Sequence, residues 1–154
     1  MKRIDTPEAQ LEGFLAKYTP EIAGLAKAAL VKMRKRLPGA VEMVYDNFNA
    51  LVIGFGPSER PSEAILSIAL YPRWVNLFFL HGKSLRDPQK LLKGSGNQVR
   101  SLVLETAGTL DDPAVGELIE QAAERAAVPF DFKQKRKMVI RAIAPKQRPR
   151  RPAK

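Results

Sequence analysis

Apolar residues recur at helical spacing over the first 37 positions and at every second position from Val41 onward, and this change of period separates the two kinds of element in the chain. Leu11, Phe14, Leu15 and Tyr18 stand at i, i+3, i+4 and i+7, and Ile22, Leu25, Ala26, Ala29, Met33 and Leu37 carry a second stripe. Each stripe opens on a threonine followed by proline, Thr6-Pro7 and Thr19-Pro20. A threonine hydroxyl can satisfy an early unpaired N–H and proline has none to lose there, so two amphipathic helices are predicted. Pro38-Gly39 stops the second.

From Val41 the apolar positions Val41, Met43 and Tyr45 alternate with Glu42 and Asp46, and Leu51, Ile53 and Phe55 alternate around Val52 and Gly54. These are strands. GPSERPSE reads as a loop, and AILSIALYPRWVNLFFLH as a third and fourth strand hinged at Tyr71-Pro72-Arg73. Asp87-Pro88 opens a short predicted helix through Leu91 and Leu92, QVRSLVLE (98–105) a fifth strand, and Asp112-Pro113 a last helix. Short links between successive strands favour antiparallel neighbours. The order ααββββαβα therefore predicts an α+β domain, with a mainly antiparallel sheet of about five strands and the terminal helices on one face.

The formal charge of +10 is unevenly placed. Residues 1–130 hold 16 Lys and Arg against 15 Asp and Glu, whereas 131–154 hold 10 against Asp131 alone. The division expected is thus a domain over 1–131 and a basic Pro/Arg-rich tail over 132–154, disordered apart from an edge strand at 138–144. Lys135, Arg136, Lys137, Arg148, Arg150 and Arg151 of this tail are the candidates for weak, non-specific, salt-dependent nucleic-acid binding. Phe130 and Phe132 only precede the run, so base stacking has little to work with.

The chain has no cysteine, which removes disulfides and thiolate chemistry and fits a reducing compartment. With no leader-like or spanning apolar run, the expected location is the cytoplasm, with no membrane partner. His81 is the sole histidine and reads as a strand-end residue. Lys93-Gly94-Ser95-Gly96-Asn97-Gln98 has the glycines of a phosphate loop but leaves a predicted helix and enters a strand, the reverse of what a helix dipole would need. A turn explains it. Tyr45, Asp46, Asn47, Arg73, Trp74, Lys93 and Arg100 are the candidate ligand residues, the aromatics to stack and the arginines to pair with charge if the sheet brings them together. No nucleophile, base and orienter can be assembled into a catalytic set, so the expectation leans away from an enzyme.

The succession LPGAVEMVYDNFNALVIGFG, SIALYPRWVNLFFLHG, LLKGSGNQVRSLVLE and AIAPKQRPRR resembles the YdhG-like family of bacterial domains, over about residues 6 to 148. That resemblance implies a frataxin-like α+β domain and, for the family's namesake, an intracellular iron-chaperone role. Iron would then sit on carboxylates of the first helix and its surroundings, since hard cations take anionic oxygens. Asp5, Glu8, Glu12 and Glu21 are the candidates, and only Glu8 and Glu12 are spaced to share a helix face. The function expected is a small-ligand- or protein-binding module, with the iron-chaperone and nucleic-acid readings as alternatives.

Overall fold

The structure is a computed structural model that describes residues 6–153. Helix α1 spans Pro7–Leu15 and α2 spans Pro20–Arg36, each capped as its sequence dictates. Thr6 Oγ1 accepts from Ala9 N at 3.1 Å and Thr19 Oγ1 from Ile22 N at 3.3 Å. Strands β1 (Val41–Asp46), β2 (Leu51–Gly56), β3 (Leu66–Leu70) and β4 (Val75–Phe79) follow as an antiparallel meander. Strand β5 (Arg100–Val103) pairs antiparallel with β4, helix α3 spans Pro113–Glu124, and β6 (Lys137–Ile143) closes the order β5-β4-β3-β2-β1-β6.

The class is α+β, but the sheet is mixed and six-stranded rather than five-stranded and antiparallel. β6 lies on the outer edge of β1 and runs parallel to it, with a bulge that skips Arg141 between the pairs Val44↔Ile140 and Tyr45↔Ala142. Periodicity showed that MVIRAIA can be a strand, but the partner and direction of a strand lie in the tertiary fold. The helix expected at Asp87 is a turn. Lys90 takes φ 54, which breaks a helical path, and the Asp87 carboxylate accepts from Leu91 N and Leu92 N, both at 2.9 Å.

All three helices pack on one face of the sheet. Leu11, Leu15, Ile22, Ala26, Leu30 and Met33 from α1 and α2, with Val115, Leu118 and Ile119 from α3, meet Val44, Ile53, Phe55, Ile68, Leu77 and Phe79 in one continuous core. Tyr18, fully buried, ties the helices to the strands: its hydroxyl donates to Leu70 O at 2.9 Å and accepts from Leu51 N at 3.1 Å. Burial, the largest influence on this phenol, pushes its pKa above the ordinary value.

Two carboxylates lie among these apolar side chains, at opposite ends of β1, and neither is exposed to solvent. Glu42 receives two parallel bonds from Arg34, both at 2.8 Å, and Arg136 Nη1 at 3.1 Å. Asp46 meets Lys17 Nζ at 2.7 Å and Arg150 Nη2 at 2.9 Å. Residues beyond β6 therefore do not trail into solvent. Ala144 N donates to Asp46 O and Arg148 N to Phe48 O, each at 2.8 Å, and Gln147 Nε2 donates to Asp46 O at 3.1 Å. The expectation of disorder in the basic tail is corrected by these bonds: composition counts an arginine as solvated, whereas Arg150 is 5 % exposed because a buried carboxylate waits for it.

Candidate ligand-binding cleft

A cleft of about 570 Å³ opens where the ends of β4, α3 and the loop before β5 meet. Ile65, Phe79, Leu85, Ala122 and Ala126 supply apolar lining, and His81, Lys83, Asn97, Gln98 and Arg125 the polar lining. Its shape depends on Gly82, the first residue of a single 3-10 turn over Gly82–Ser84. A Cβ there would lie 2.5 Å from Arg100 Cβ and 3.0 Å from Arg100 N, so only glycine lets the turn lie against β5.

Hydrogen bonds then fix the walls. Lys83 N donates to Gln98 O at 2.8 Å, and His81 Nδ1 lies within hydrogen-bond distance of Gln98 Oε1, at 2.6 Å. Arg125, at the C-terminal end of α3, donates to Ser84 O. Gln121, buried, exchanges two bonds with the main chain of Arg86, both at 2.9 Å, and so staples the loop to α3. Lys83 and Arg125 are exposed and face no carboxylate in the lining. Three other clefts on the described surface each mix carboxylates with cations: Glu21 and Glu105 with Arg73, Glu120 and Glu124 with Lys35, Glu8 and Glu12 with Lys27.

The residues singled out in the sequence are spread over the molecule. Tyr45, half-buried, packs with Met43 and Val139 on the sheet face away from the helices, while Asp46 points to the helix side. Asn47 forms the β1–β2 turn, its carbonyl accepting from Arg150 Nη2 at 2.6 Å. Arg73 and Trp74 line a second cleft of about 560 Å³, where Trp74 stacks on Tyr71 with centroids 5.6 Å apart. Lys93 pairs through its main chain with Ser101, and Arg100 donates to the carbonyls of Gly96 and Val99, both at 2.8 Å. Arg100 and Tyr45 sit on strands four positions apart in the sheet order, about 19 Å at the usual spacing, so these side chains form no common pocket.

Five of the six candidate tail cations are engaged at home. Arg136 meets Glu42, Lys137 meets Glu59, Arg150 meets Asp46, Arg148 lies over the Phe48 ring at 5.6 Å, and Arg151 donates to the carbonyls of Lys17 and Ala16. Lys135 is exposed. On α1, Glu12 lies 2.9 Å from Lys27, and Glu8 shares a cleft of about 240 Å³ with it. Among the described residues no three His, Cys, Asp or Glu side chains gather as a metal-binding group, and Asp5 lies outside those residues.

Sequence reasoning passed over the cleft because its parts look ordinary one at a time. His81 and Gln98 are 17 residues apart, and the loop carrying Gln98 reads as a turn. The available signal was the pair of glycine-bearing segments, LHGKS and KGSGNQ, on either side of a leucine-rich stretch. Comparison of the chain with family models, curated proteins and solved structures returned no match.

Proposed function

We propose that this domain is a small-ligand-binding module and that its ligand is an apolar or aromatic body carrying one anionic head, held in the cleft between β4 and α3. The observation that carries this reading is the lining itself: an apolar set around Phe79 with Lys83 and Arg125 beside it and no carboxylate. An apolar body gains by leaving water on the hydrophobic side, and a carboxylate or phosphate gains charge-assisted bonds from the two cations. Asn97, Gln98 and His81 supply further polar contacts, which fix orientation in sites of this kind. Two of the segments that carry the YdhG-like resemblance, LFFLHG and LLKGSGNQVR, contribute Phe79, His81, Asn97 and Gln98 to the cleft lining.

Titration calorimetry with decanoate and with decanol tests the reading. Decanoate is expected to bind and decanol to bind at least tenfold more weakly, because a hydrogen bond to a charged group contributes about 1.5 to 3 kcal/mol. Lys83→Ala and Arg125→Ala are each expected to bring decanoate toward the affinity of decanol. Equal binding of both compounds, or indifference to both substitutions, overturns the proposal.

A further inference from the structure

Five cations without a carboxylate partner lie close together in the segment beside the cleft. Lys83, Arg86, Lys90, Lys93 and Arg100 fall within residues 82–100 against a single carboxylate, Asp87, whose oxygens are taken by the main-chain N–H groups of Leu91 and Leu92. Among the described residues none of the five makes an ion pair, whereas Lys17, Arg34, Arg136, Lys137 and Arg150 all do. The segment is one built lobe. Lys83 N is bonded to Gln98 O, Arg86 to Gln121 of α3, and Lys93 to Ser101 of β5. Leu85, Leu91 and Leu92 pack inward against the core, and Lys83, Arg86, Lys90 and Lys93 are left exposed. Val99, in the same lobe, is 43 % exposed, and Val128, just beyond the cleft-lining Ala127, is 39 % exposed.

The geometry points to this lobe as a docking surface for an anionic lipid bilayer. Clustered lysines and arginines are attracted to acidic headgroups, and exposed aliphatic side chains beside them can enter the headgroup boundary. Nucleic acid would use the same charges, but residues 82–100 contain no Phe, Tyr or Trp on which a base could stack, and the exposed valines gain nothing from a phosphate backbone. The inference goes beyond the cleft reading and does not depend on it, because Lys90 and Lys93 lie outside the cleft lining. It replaces the expectation of no membrane partner for surface docking alone; no described helix is long and apolar enough to cross a bilayer.

The test is co-sedimentation of the full chain with vesicles of phosphatidylcholine alone and of phosphatidylcholine mixed with phosphatidylglycerol. Pelleting is expected with the mixed vesicles only and is expected to fall with added salt. Each cation removed is expected to lower partitioning about fivefold, so Lys90→Ala with Lys93→Ala lowers it about 25-fold. Lys133→Ala with Lys135→Ala, two exposed cations outside the lobe, leaves it unchanged. In Val99→Trp, emission above the parent's Trp74 background is expected to shift to the blue on vesicle addition. No pelleting, equal loss from the two lysine pairs, or an unshifted Val99→Trp with tighter binding to duplex DNA overturns the inference; the last of these makes the lobe a nucleic-acid surface.

Discussion

Arg150→Met removes one of the two cations that neutralise Asp46 and keeps much of the side-chain length. In the parent protein the Asp46 carboxylate is fully buried, Lys17 Nζ is 2.7 Å from Oδ2 and Arg150 Nη2 is 2.9 Å from Oδ1. Arg150 also donates to Asn47 O at 2.6 Å and packs over the Tyr18 ring at 5.7 Å. Removing one partner of a buried ion pair costs about 3 to 5 kcal/mol, and since Lys17 and Gln147 remain, the lower figure of about 3 kcal/mol applies. For a chain of this length that corresponds to a fall in Tm of about 9 °C. Burial by itself pushes the Asp46 carboxyl up, but the bonds from Lys17, Gln147 and Arg150 outweigh it and hold the pKa below the usual carboxylate value. A depressed pKa stabilises the fold above the unfolded value of about 3.9 and is lost as pH falls through the folded value. Urea melts at neutral pH and below pH about 3 are therefore expected to show a large deficit for Arg150→Met at the first and a smaller one at the second. A deficit under about 0.5 kcal/mol at neutral pH, the range of an ordinary surface change, would refute the argument that this arginine is a buried structural ion.

Three further outcomes follow from the same reasoning. Tyr18→Phe leaves Leu51 N and Leu70 O without the buried hydroxyl and is expected to cost about 1 to 3 kcal/mol in a chemical melt. Gly82→Ala places a methyl on Arg100 and is expected to lower Tm and to weaken decanoate binding together; a variant with parent stability and parent affinity would show that the turn does not shape the cleft. Truncation after Asp131 strips β6 from β1, removes the buried Met138 and leaves Asp46 and Glu42 each short of a cation, so the product is expected to lose cooperative unfolding as followed by circular dichroism.

The helices and the meander were legible because their signals are local: Thr-Pro at each helix start, a stripe at 3.6, then alternation at two. Asp87 misled for a local reason as well. Its carboxylate accepts from the N–H groups four and five residues on, beyond the two or three of a helix cap, and the chain turns away at Lys90. What stayed hidden is tertiary. Asp46 reads as a polar residue at the end of a strand until Arg150, 104 residues later, is found against it. The cleft is hidden in the same way, since Gly82 meets Arg100, and His81 meets Gln98, only in the folded chain.

The measurement that bears most directly on the proposed function is a set of ¹H–¹⁵N correlation spectra recorded as decanoate is added to the full chain. Saturable shifts are expected at His81, Lys83, Leu85 and Gln98 and from Ala122 through the end of α3 to Ala127, with the Arg73 and Trp74 signals still. Shifts centred on Trp74, or none that saturate, would contradict the assignment of the ligand site to the cleft between β4 and α3.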